Sequence, residues 1–320
     1  MSQFTYRTFR NTDPPHILRL WNRCELGRGA SMPSCTDAFE TANYAQPYFD
    51  PLGLILAEEA GKVVGFVHAG FGFSKDKQSL DRSIGVICAV MVLPEFRRQG
   101  VGRELVRRAE EYLRQASATE IVAGQFSGCD PFYFSLYGGA KPCGFLASDP
   151  LAAPFFQSLG YQPGNTFGVY SRDLLECKDP FSMRLMSIRR RTELTLTDQP
   201  NQPTWWWYTH LGRFESVRFR LVDKKTKTPL AAVSIISLDH YTSKWNERAI
   251  GLVDMFVAES ERGKGMGQAL LIETVRNLRQ DLIDRVEIHG PDDNPLALKA
   301  LCGAGFCRID TGTVYKKPSV

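Results

Sequence analysis

The sequence is poor in the features that mark metal-binding, secreted and membrane proteins. Its eight cysteines form no Cys-x-x-Cys pair and no cluster with the five histidines, so we expect no metal site and reduced, buried thiols. No apolar run approaches the length of a membrane span, and the N-terminal residues contain no signal-like apolar segment. These absences predict a cytoplasmic protein that does not contact membranes.

An excess of charge of one sign is also missing. The 320 residues carry 39 Lys and Arg against 35 Asp and Glu, which gives a formal net charge of +4 at pH 7. This mildly basic balance suits an anionic small-molecule ligand, but it lacks the concentrated charge that is typical of nucleic-acid binding. A chain of this length fits two domains that each bury a core, and it leaves the oligomeric state open.

A short basic segment that contains glycine occurs twice in the chain. The first copy, 97–102, reads Arg-Arg-Gln-Gly-Val-Gly, and the second, 262–267, reads Arg-Gly-Lys-Gly-Met-Gly. Each follows an apolar, β-rich run, at 84–93 and 250–257, and each precedes an amphipathic helical pattern. Both copies therefore predict a strand, a glycine loop and a helix in that order.

We expect each glycine loop to bind phosphate. The start of a helix presents backbone N–H groups that lack intrahelical partners, and glycine lets a pyrophosphate approach them. Arg97 or Arg262 adds a donor fork that suits phosphate oxygens. Neither copy has the closing Lys-Ser or Lys-Thr of a P-loop, nor the third glycine of a dinucleotide motif. The remaining pattern, Arg-x-x-Gly-x-Gly, resembles the acetyl-CoA-binding motif of the GNAT family of N-acetyltransferases.

The repeat continues beyond the glycine loops and resembles the GNAT pattern there as well. Residues 149–156 and 294–301 each predict a helix that begins with a capping residue and a proline. Each helix is followed by glycine and an aromatic residue, at Gly160-Tyr161 and Gly305-Phe306. The similarity therefore extends over most of both halves of the chain.

The resemblance implies an α/β fold of the mixed-sheet, α+β kind, built from two tandem GNAT-like domains. We expect each domain to contain a mixed, mostly antiparallel sheet flanked by helices. The predicted domains are residues 1–176, called the first half, and residues 182–320, called the second half. The first half holds an insertion at about 126–148, because its spacing between the two motifs is about 20 residues longer.

Two aromatic segments leave alternatives open. The insertion includes the aromatic and glycine-rich run 130–142, which either shapes access to an acceptor pocket or packs its rings on the body or on the other half. The run Trp205-Trp206-Trp207 forms either the wall of a substrate site or a core or interdomain contact, and we favour the second alternative.

The resemblance also implies which residues contact acetyl-CoA, through a splayed strand and the glycine loop of each half. In the first half these are Met91, Val92, Leu93, Arg97, Arg98, Gln99, Gly100, Val101, Gly102 and Arg103. In the second half they are Phe256, Val257, Ala258, Arg262, Gly263, Lys264, Gly265, Met266, Gly267, Gln268 and Asn294.

By the same resemblance, a primary amine of a small molecule or peptide attacks the thioester directly. A lysine-like amine is neutral in only about one part in 10³ to 10⁴ at pH 7, so the reaction needs a base or a chain of waters. Asp254 and His289 are the candidates in the second half, and Tyr133 or Tyr137 of the insertion is the candidate in the first, of which we favour Tyr137. For Asp254 and His289, a purely structural role remains an equal alternative.

One departure from the family pattern keeps a rival hypothesis open. The tyrosine that commonly protonates the leaving thiolate is replaced by Phe156 in the first half and by Leu301 in the second. The chain is therefore either an N-acetyltransferase or a non-catalytic protein that binds or senses acyl-CoA.

Overall fold

The computed structural model describes residues 3–24, 26–200, 203–212, 214 and 216–318, whose strands form one sheet. The strands are β1 (Phe4–Thr8), β2 (Leu54–Glu59), β3 (Lys62–Phe73), β4 (Leu80–Val92), β5 (Glu120–Ala123), β6 (Phe145–Leu146), β7 (Gln162–Asp173), β8 (Thr192–Thr197), β9 (Ser216–Asp223), β10 (Pro229–Ser237), β11 (Ala249–Val257), β12 (Arg285–Pro291) and β13 (Cys307–Lys316).

The helices connect these strands and cover the sheet. The α-helices are α1 (Pro14–Arg23), α2 (Asp37–Phe39), α3 (Val101–Gln115), α4 (Ala152–Ser158), α5 (Met183–Arg191), α6 (Trp205–His210), α7 (Thr242–Trp245), α8 (Met266–Gln280) and α9 (Pro295–Gly303). A π-helical turn spans Glu40–Tyr44, and 3₁₀ turns span Pro51–Gly53, Pro94–Phe96, Asp239–Tyr241 and Glu259–Glu261.

The sheet is mixed and mostly antiparallel. In the described part of the chain its order is β1-β2-β3-β4-β5-β13-β7-β12-β11-β10-β9-β8, and β6 pairs with β13. The pairs β4–β5 and β11–β12 are parallel, and each is joined through a glycine loop and a helix, as a parallel connection requires. The architecture predicted from the repeat is therefore confirmed.

The two halves exchange their last strands. β7 comes from the first half, but it pairs with β12 of the second half from Phe167↔Pro291 to Asp173↔Arg285. β13 comes from the second half, and it pairs with β5 of the first half as well as with β7. Backbone hydrogen bonds therefore connect the two halves within one sheet. The two domain ranges predicted from the sequence meet at these exchanged strands.

The repeated helices pack as their patterns predict. In α3, Leu105, Val106, Ala109 and Leu113 are buried, and α8 buries Leu270, Leu271, Thr274, Val275 and Leu278. Full burial of a Leu or Val side chain contributes about 1.5–3 kcal/mol relative to exposure, so each stripe fixes its helix on the sheet. This packing places the N-terminus of each helix beside the end of the preceding strand.

The insertion packs on the second half. Phe134 and Ala140 belong to an apolar cluster with Ile236, Tyr241 and Val253. The backbone N–H of Gly139 donates to the Tyr241 hydroxyl at 3.0 Å. Of the two roles weighed for its rings, contact with the other half is thus observed.

The start of α4 differs from the prediction. The sequence suggested that Asp149 caps a helix that begins at Pro150, whereas the helix begins at Ala152. The Asp149 carboxylate instead accepts the backbone N–H of Leu151 at 3.2 Å within a turn. The matching residue in the second half, Asn294, does cap α9, because its side-chain oxygen accepts the N–H of Ala297 at 3.1 Å.

Two general properties complete the fold. None of the helices in the described ranges combines the length and the apolar character that a membrane crossing requires. All eight cysteines are free thiols, of which Cys24, Cys88, Cys129 and Cys143 are buried and the other four exposed. The expectation of buried thiols therefore holds for half of them.

Candidate active site

A cavity of about 1100 Å³ opens in the second half where β11 and β12 separate. The parallel pairing of these strands ends at Leu252↔Ile288. Next to this point Asp254 has a positive φ of 50°, and the pairing of β11 with β10 shifts register. This bulge turns the end of β11 towards the cavity, where residues 254–256 are exposed.

The glycine loop of the second half forms the other end of this cavity. Gly265 precedes α8 with a φ of 87°, which an L side chain rarely adopts. A Cβ on Gly265 would also lie 2.8 Å from Nε of Arg184. Glycine is therefore favoured here by its conformation, and the N–H groups that begin α8 stay accessible to an anion.

Nine of the eleven cofactor residues predicted in the second half line this cavity, and Ala258 and Lys264 do not. The nine are Phe256, Val257, Arg262, Gly263, Gly265, Met266, Gly267, Gln268 and Asn294. Nε of Arg262 donates to the Val257 carbonyl at 3.4 Å, which ties the loop to the end of the strand. The Asn294 side-chain oxygen is occupied by the helix cap described above, so its contribution is to start α9 at the cavity wall.

Asp254 lies in the cavity wall and is paired with an arginine. Its carboxylate accepts a hydrogen bond from Nη1 of Arg218 at 2.6 Å, and its backbone carbonyl accepts from Nη2 at 3.2 Å. The side chain of Arg218 is only 3% exposed and also donates to the Ser234 hydroxyl. Because both groups of Asp254 hold this guanidinium, the geometry favours a role in fixing the bulge over proton transfer.

His289 faces the same cavity with one ring nitrogen unpaired. Its Nε2 lies 2.6 Å from the carbonyl oxygen of Gly138 in the insertion. A carbonyl only accepts hydrogen bonds, so Nε2 carries the proton and Nδ1 keeps a lone pair. Nδ1 is buried and has no hydrogen-bond partner among the described residues. Burial, with the Lys141 charge as a smaller cause, lowers the pKa of His289 to about 3, so the ring is neutral.

A second histidine with the same property, His210 of α6, was missed by the sequence analysis. The Tyr48 hydroxyl donates to the Pro131 carbonyl at 3.0 Å, so the His210 Nδ1–H, 3.3 Å away, is the donor to Tyr48. Nε2 of His210 is therefore an acceptor, and it is buried without a partner in the described residues. Burial lowers the pKa of His210 to about 4. The only sequence signal was its position after three tryptophans.

The aromatic segments whose role was left open contribute to this cavity. Trp206 stacks on Tyr48 and contacts Phe73, with ring centroids 4.9 and 4.8 Å apart, so it forms the favoured contact between the halves. Trp206 and Trp207 also line the cavity, as do Asp130, Phe134 and Lys141 of the insertion. The first half thus supplies part of the wall around the splayed strand of the second half.

Tyr137, the candidate in the first half, lies elsewhere. Its hydroxyl accepts the backbone N–H of Leu146 at 3.0 Å, and its ring contacts Phe145. It is not among the residues that line the cavity with Asp254 and His289. Burial raises the pKa of Tyr137 well above its ordinary value, which further disfavours proton release.

The first half keeps the glycine loop but covers the strand beside it. Gly100 precedes α3 with a φ of 85°, and Arg98, Gln99 and Arg103 are exposed. The strand residues that match the exposed 254–256 segment include Ala89 and Met91, which are buried. They share an apolar cluster with Leu93 and with rings of α1 and the insertion, Trp21, Phe132 and Tyr133.

Two further contacts occupy the first-half strand end. The carbonyl of Val92 accepts from Nε of Arg97 at 3.0 Å, and Nη2 of Arg97 donates to the Cys24 carbonyl at 3.0 Å. Phe155 lies against Gly102, where a Cβ would come within 3.1 Å of its ring. The arginine expected to bind phosphate is therefore used to tie the loop to the strand and to Cys24.

The comparisons with known proteins match both halves of the chain to one family. The model of the acetyltransferase (GNAT) family matches residues 17–133 and again residues 183–306. A mycothiol acetyltransferase of Thermobispora bispora is 37% identical over 81 residues, which cover 24% of this chain and 25% of that protein. An acetyltransferase of Sodalis glossinidius is 31% identical over 107 residues, which cover 33% of this chain and 65% of that protein. The chain thus spans less than two thirds of either relative.

A solved structure supports the arrangement of the halves. A tandem GNAT protein from the clavulanic acid biosynthesis pathway superposes with a TM-score of 0.68 at 15% identity, and the match covers 99% of both chains. At this identity the likeness shows the fold alone. With the family model matched in both halves, the chain belongs to the GNAT acetyltransferase family and carries two GNAT regions in tandem.

Proposed function

We propose that the protein transfers an acetyl group from acetyl-CoA to a primary amine, and that the second half performs the reaction. One observation carries this proposal: a single cavity is lined by an open glycine loop, an exposed bulged strand end and His289, whose buried Nδ1 has no partner in the described residues. The names of both curated relatives support acetyl as the transferred group.

The residues of the second half fit the chemistry of CoA. The N–H groups after Gly263 and Gly265 suit the pyrophosphate, and Arg262 and Arg184 add positive charge at the same end. The backbone of Phe256 and Val257, which line the cavity, suits the amide groups of the pantetheine arm. When bound, acetyl-CoA supplies a thioester: the amine nitrogen forms a C–N bond, the C–S bond breaks, and a thiolate and one proton leave.

His289 would position the attacking amine. Its bare Nδ1 accepts an N–H of the neutral amine, which directs the nitrogen lone pair away from the imidazole and towards the strand end. Because its pKa is about 3, His289 does not retain a proton at neutral pH, so the released proton passes to water. Leu301 offers no acid, and a thiol with a pKa of about 8.5 leaves as the thiolate.

The loss of the usual tyrosine supports one rival, a protein that binds acyl-CoA without turnover. Thiol release from acetyl-CoA across a panel of amines separates the two proposals. We expect release with at least one amine in the wild type, and a large loss in His289→Ala with acetyl-CoA affinity retained. Binding of acetyl-CoA without release on any amine would establish the rival.

A further inference from the structure

The acceptor end of the cavity is assembled from three parts of the chain. The insertion supplies Asp130 and Lys141, α6 supplies His210, and β12 supplies His289. The insertion is fixed here by its contacts with the second half: Gly138 bonds His289, and Ala140 packs on β11 so closely that a Cβ on Gly251 would lie 2.6 Å from it. The charged groups of the insertion are therefore held in place beside the splayed strands.

Lys141 brings a positive charge next to the imidazole of His289. It lies three residues after Gly138, whose carbonyl bonds that ring, and its charge contributes, after burial, to the lowered pKa of both His289 and His210. Its side chain is 26% exposed. Its ion-pair partner in the described residues is Asp130, at 3.9 Å, which is longer than a hydrogen bond. The ammonium thus keeps donors for a ligand in the cavity.

The same end of the cavity has a rigid aromatic wall. Phe73, Phe134 and Trp206 line it, and Trp206 is held by ring contacts with Tyr48, Phe73 and His210. Flat, immobile rings of this kind bind the apolar or aromatic body of a ligand at low cost in side-chain entropy. The cavity thus has a cation beside the expected position of the amine and an apolar wall beyond it. This combination suits a ligand that has one anionic part and one ring-bearing part.

We propose that the acceptor is an amine that carries a carboxylate next to its amino group and a bulky, ring-bearing apolar side chain, as in an aromatic α-amino acid. Lys141 binds the carboxylate, and the Phe73, Phe134 and Trp206 wall holds the ring. This inference rests on the proposed function, because it names the substrate class of the same cavity.

The test compares matched amines that differ only in the carboxylate: phenylalanine with phenethylamine, and tryptophan with tryptamine. Thiol release from acetyl-CoA gives kcat/KM for each. We expect the wild type to prefer the amino acid by about tenfold or more, since a charge-assisted contact to a carboxylate is lost in the amine. In Lys141→Met this preference falls about tenfold, and kcat/KM for the two amines stays within about twofold.

Two further variants sharpen the test. Asp130→Asn removes the competing carboxylate, so KM for phenylalanine should fall and KM for phenethylamine should not. Lys77→Met is the matched control, because Lys77 also lines the cavity, but its ammonium lies over the Phe73 ring at 5.5 Å. A ratio that changes in Lys77→Met and not in Lys141→Met overturns the assignment of Lys141.

The outcomes also separate this inference from the proposed function. Equal turnover of both members of each pair, or turnover of other amines only, overturns the substrate class and leaves the acetyltransferase proposal intact. Absence of turnover with every amine refutes the proposed function. Calorimetry then measures phenylalanine binding to the CoA-saturated protein: weaker binding in Lys141→Met supports the inference, and equal or absent binding in both proteins overturns it.

Discussion

The two halves share a glycine loop and differ in what surrounds the strand before it. In the second half, Phe256 is 37% exposed towards a cavity, whereas its counterpart Met91 is 7% exposed and packed under aromatic rings. In the first half the insertion adds some of those rings, and it also extends to the second half to line its cavity. Repetition of the glycine loop therefore does not imply repetition of an open strand end beside it.

The largest expected effect separates the two loops directly. Gly265→Glu places a strained, negatively charged side chain at φ 87° in the space next to Arg184, so we expect acetyl-CoA-dependent thiol release to fall about 100-fold or more. Gly100→Glu is the matched control, with φ 85° and no atom within 4 Å of its Cβ, and its rate should stay within about threefold. Equal losses in both variants would remove the distinction between the halves.

The next effect compares His289 of the second half with Tyr137 of the insertion. His289→Ala removes the bare Nδ1 acceptor that would position the amine, so we expect kcat to fall about 100-fold, as misplacement of a reacting group does. Tyr137→Phe is the control, because in the described part of the chain the Tyr137 hydroxyl accepts a backbone N–H away from the cavity, and its kcat should change less than about twofold. Steady-state thiol release with a saturating amine measures both. A larger loss in Tyr137→Phe would place the reaction in the first half.

A smaller effect tests how the second-half strand is held open. Asp254→Asn takes the charged partner from the nearly buried Arg218, so the free energy of unfolding should fall by about 1–3 kcal/mol. The bulge loosens as well, and we expect kcat/KM to fall about tenfold. Glu193→Gln is the control, because its ion pair with Lys227 is exposed and should contribute less than about 1 kcal/mol. Urea unfolding compares the two, and an unchanged Asp254→Asn protein would refute the structural role.

The last expected effect is a pH dependence of stability. His210 and His289 have folded pKa values of about 4 and about 3, below the value of about 6.5 in the unfolded chain. The unfolded state therefore binds more protons as pH falls from about 6.5, and the stability present above that pH is lost at up to about 1.4 kcal/mol per pH unit for each group. Thermal unfolding between pH 7 and pH 4 should show this slope, and His210→Phe should reduce it. A slope that persists unchanged in His210→Phe would contradict the neutral, buried state of that ring.

The sequence predicted the parts of the fold that are local. The strand, glycine loop and helix of each half follow from short patterns, and so does the position of His289 near the end of the next strand, β12. The exchange of β7 and β13 could not be predicted, because either final strand fits either neighbour by its own pattern. The prediction that Asp149 caps α4 was wrong, because a turn at Asp149 competes with the start of the helix.

The residues of the cavity wall show the same limit of prediction from local sequence patterns. His210, Asp130 and Lys141 meet His289 only because the insertion crosses to the other half, a contact between residues far apart in sequence. Asp254 lies on β11 before the glycine loop, as its position in the sequence predicts, but its partner Arg218 lies two strands away and no local pattern indicates the contact. Side-chain roles at such a site depend on packing between elements, which residue spacing does not record.

The central claim is that the second half holds the reacting thioester. A crystal structure with bound CoA tests it most directly. We predict the CoA sulfur in the cavity between β11 and β12, close to Nδ1 of His289 and within reach of Lys141 and Trp206. A sulfur found only beside β4 of the first half, with the second-half cavity empty, would contradict the account.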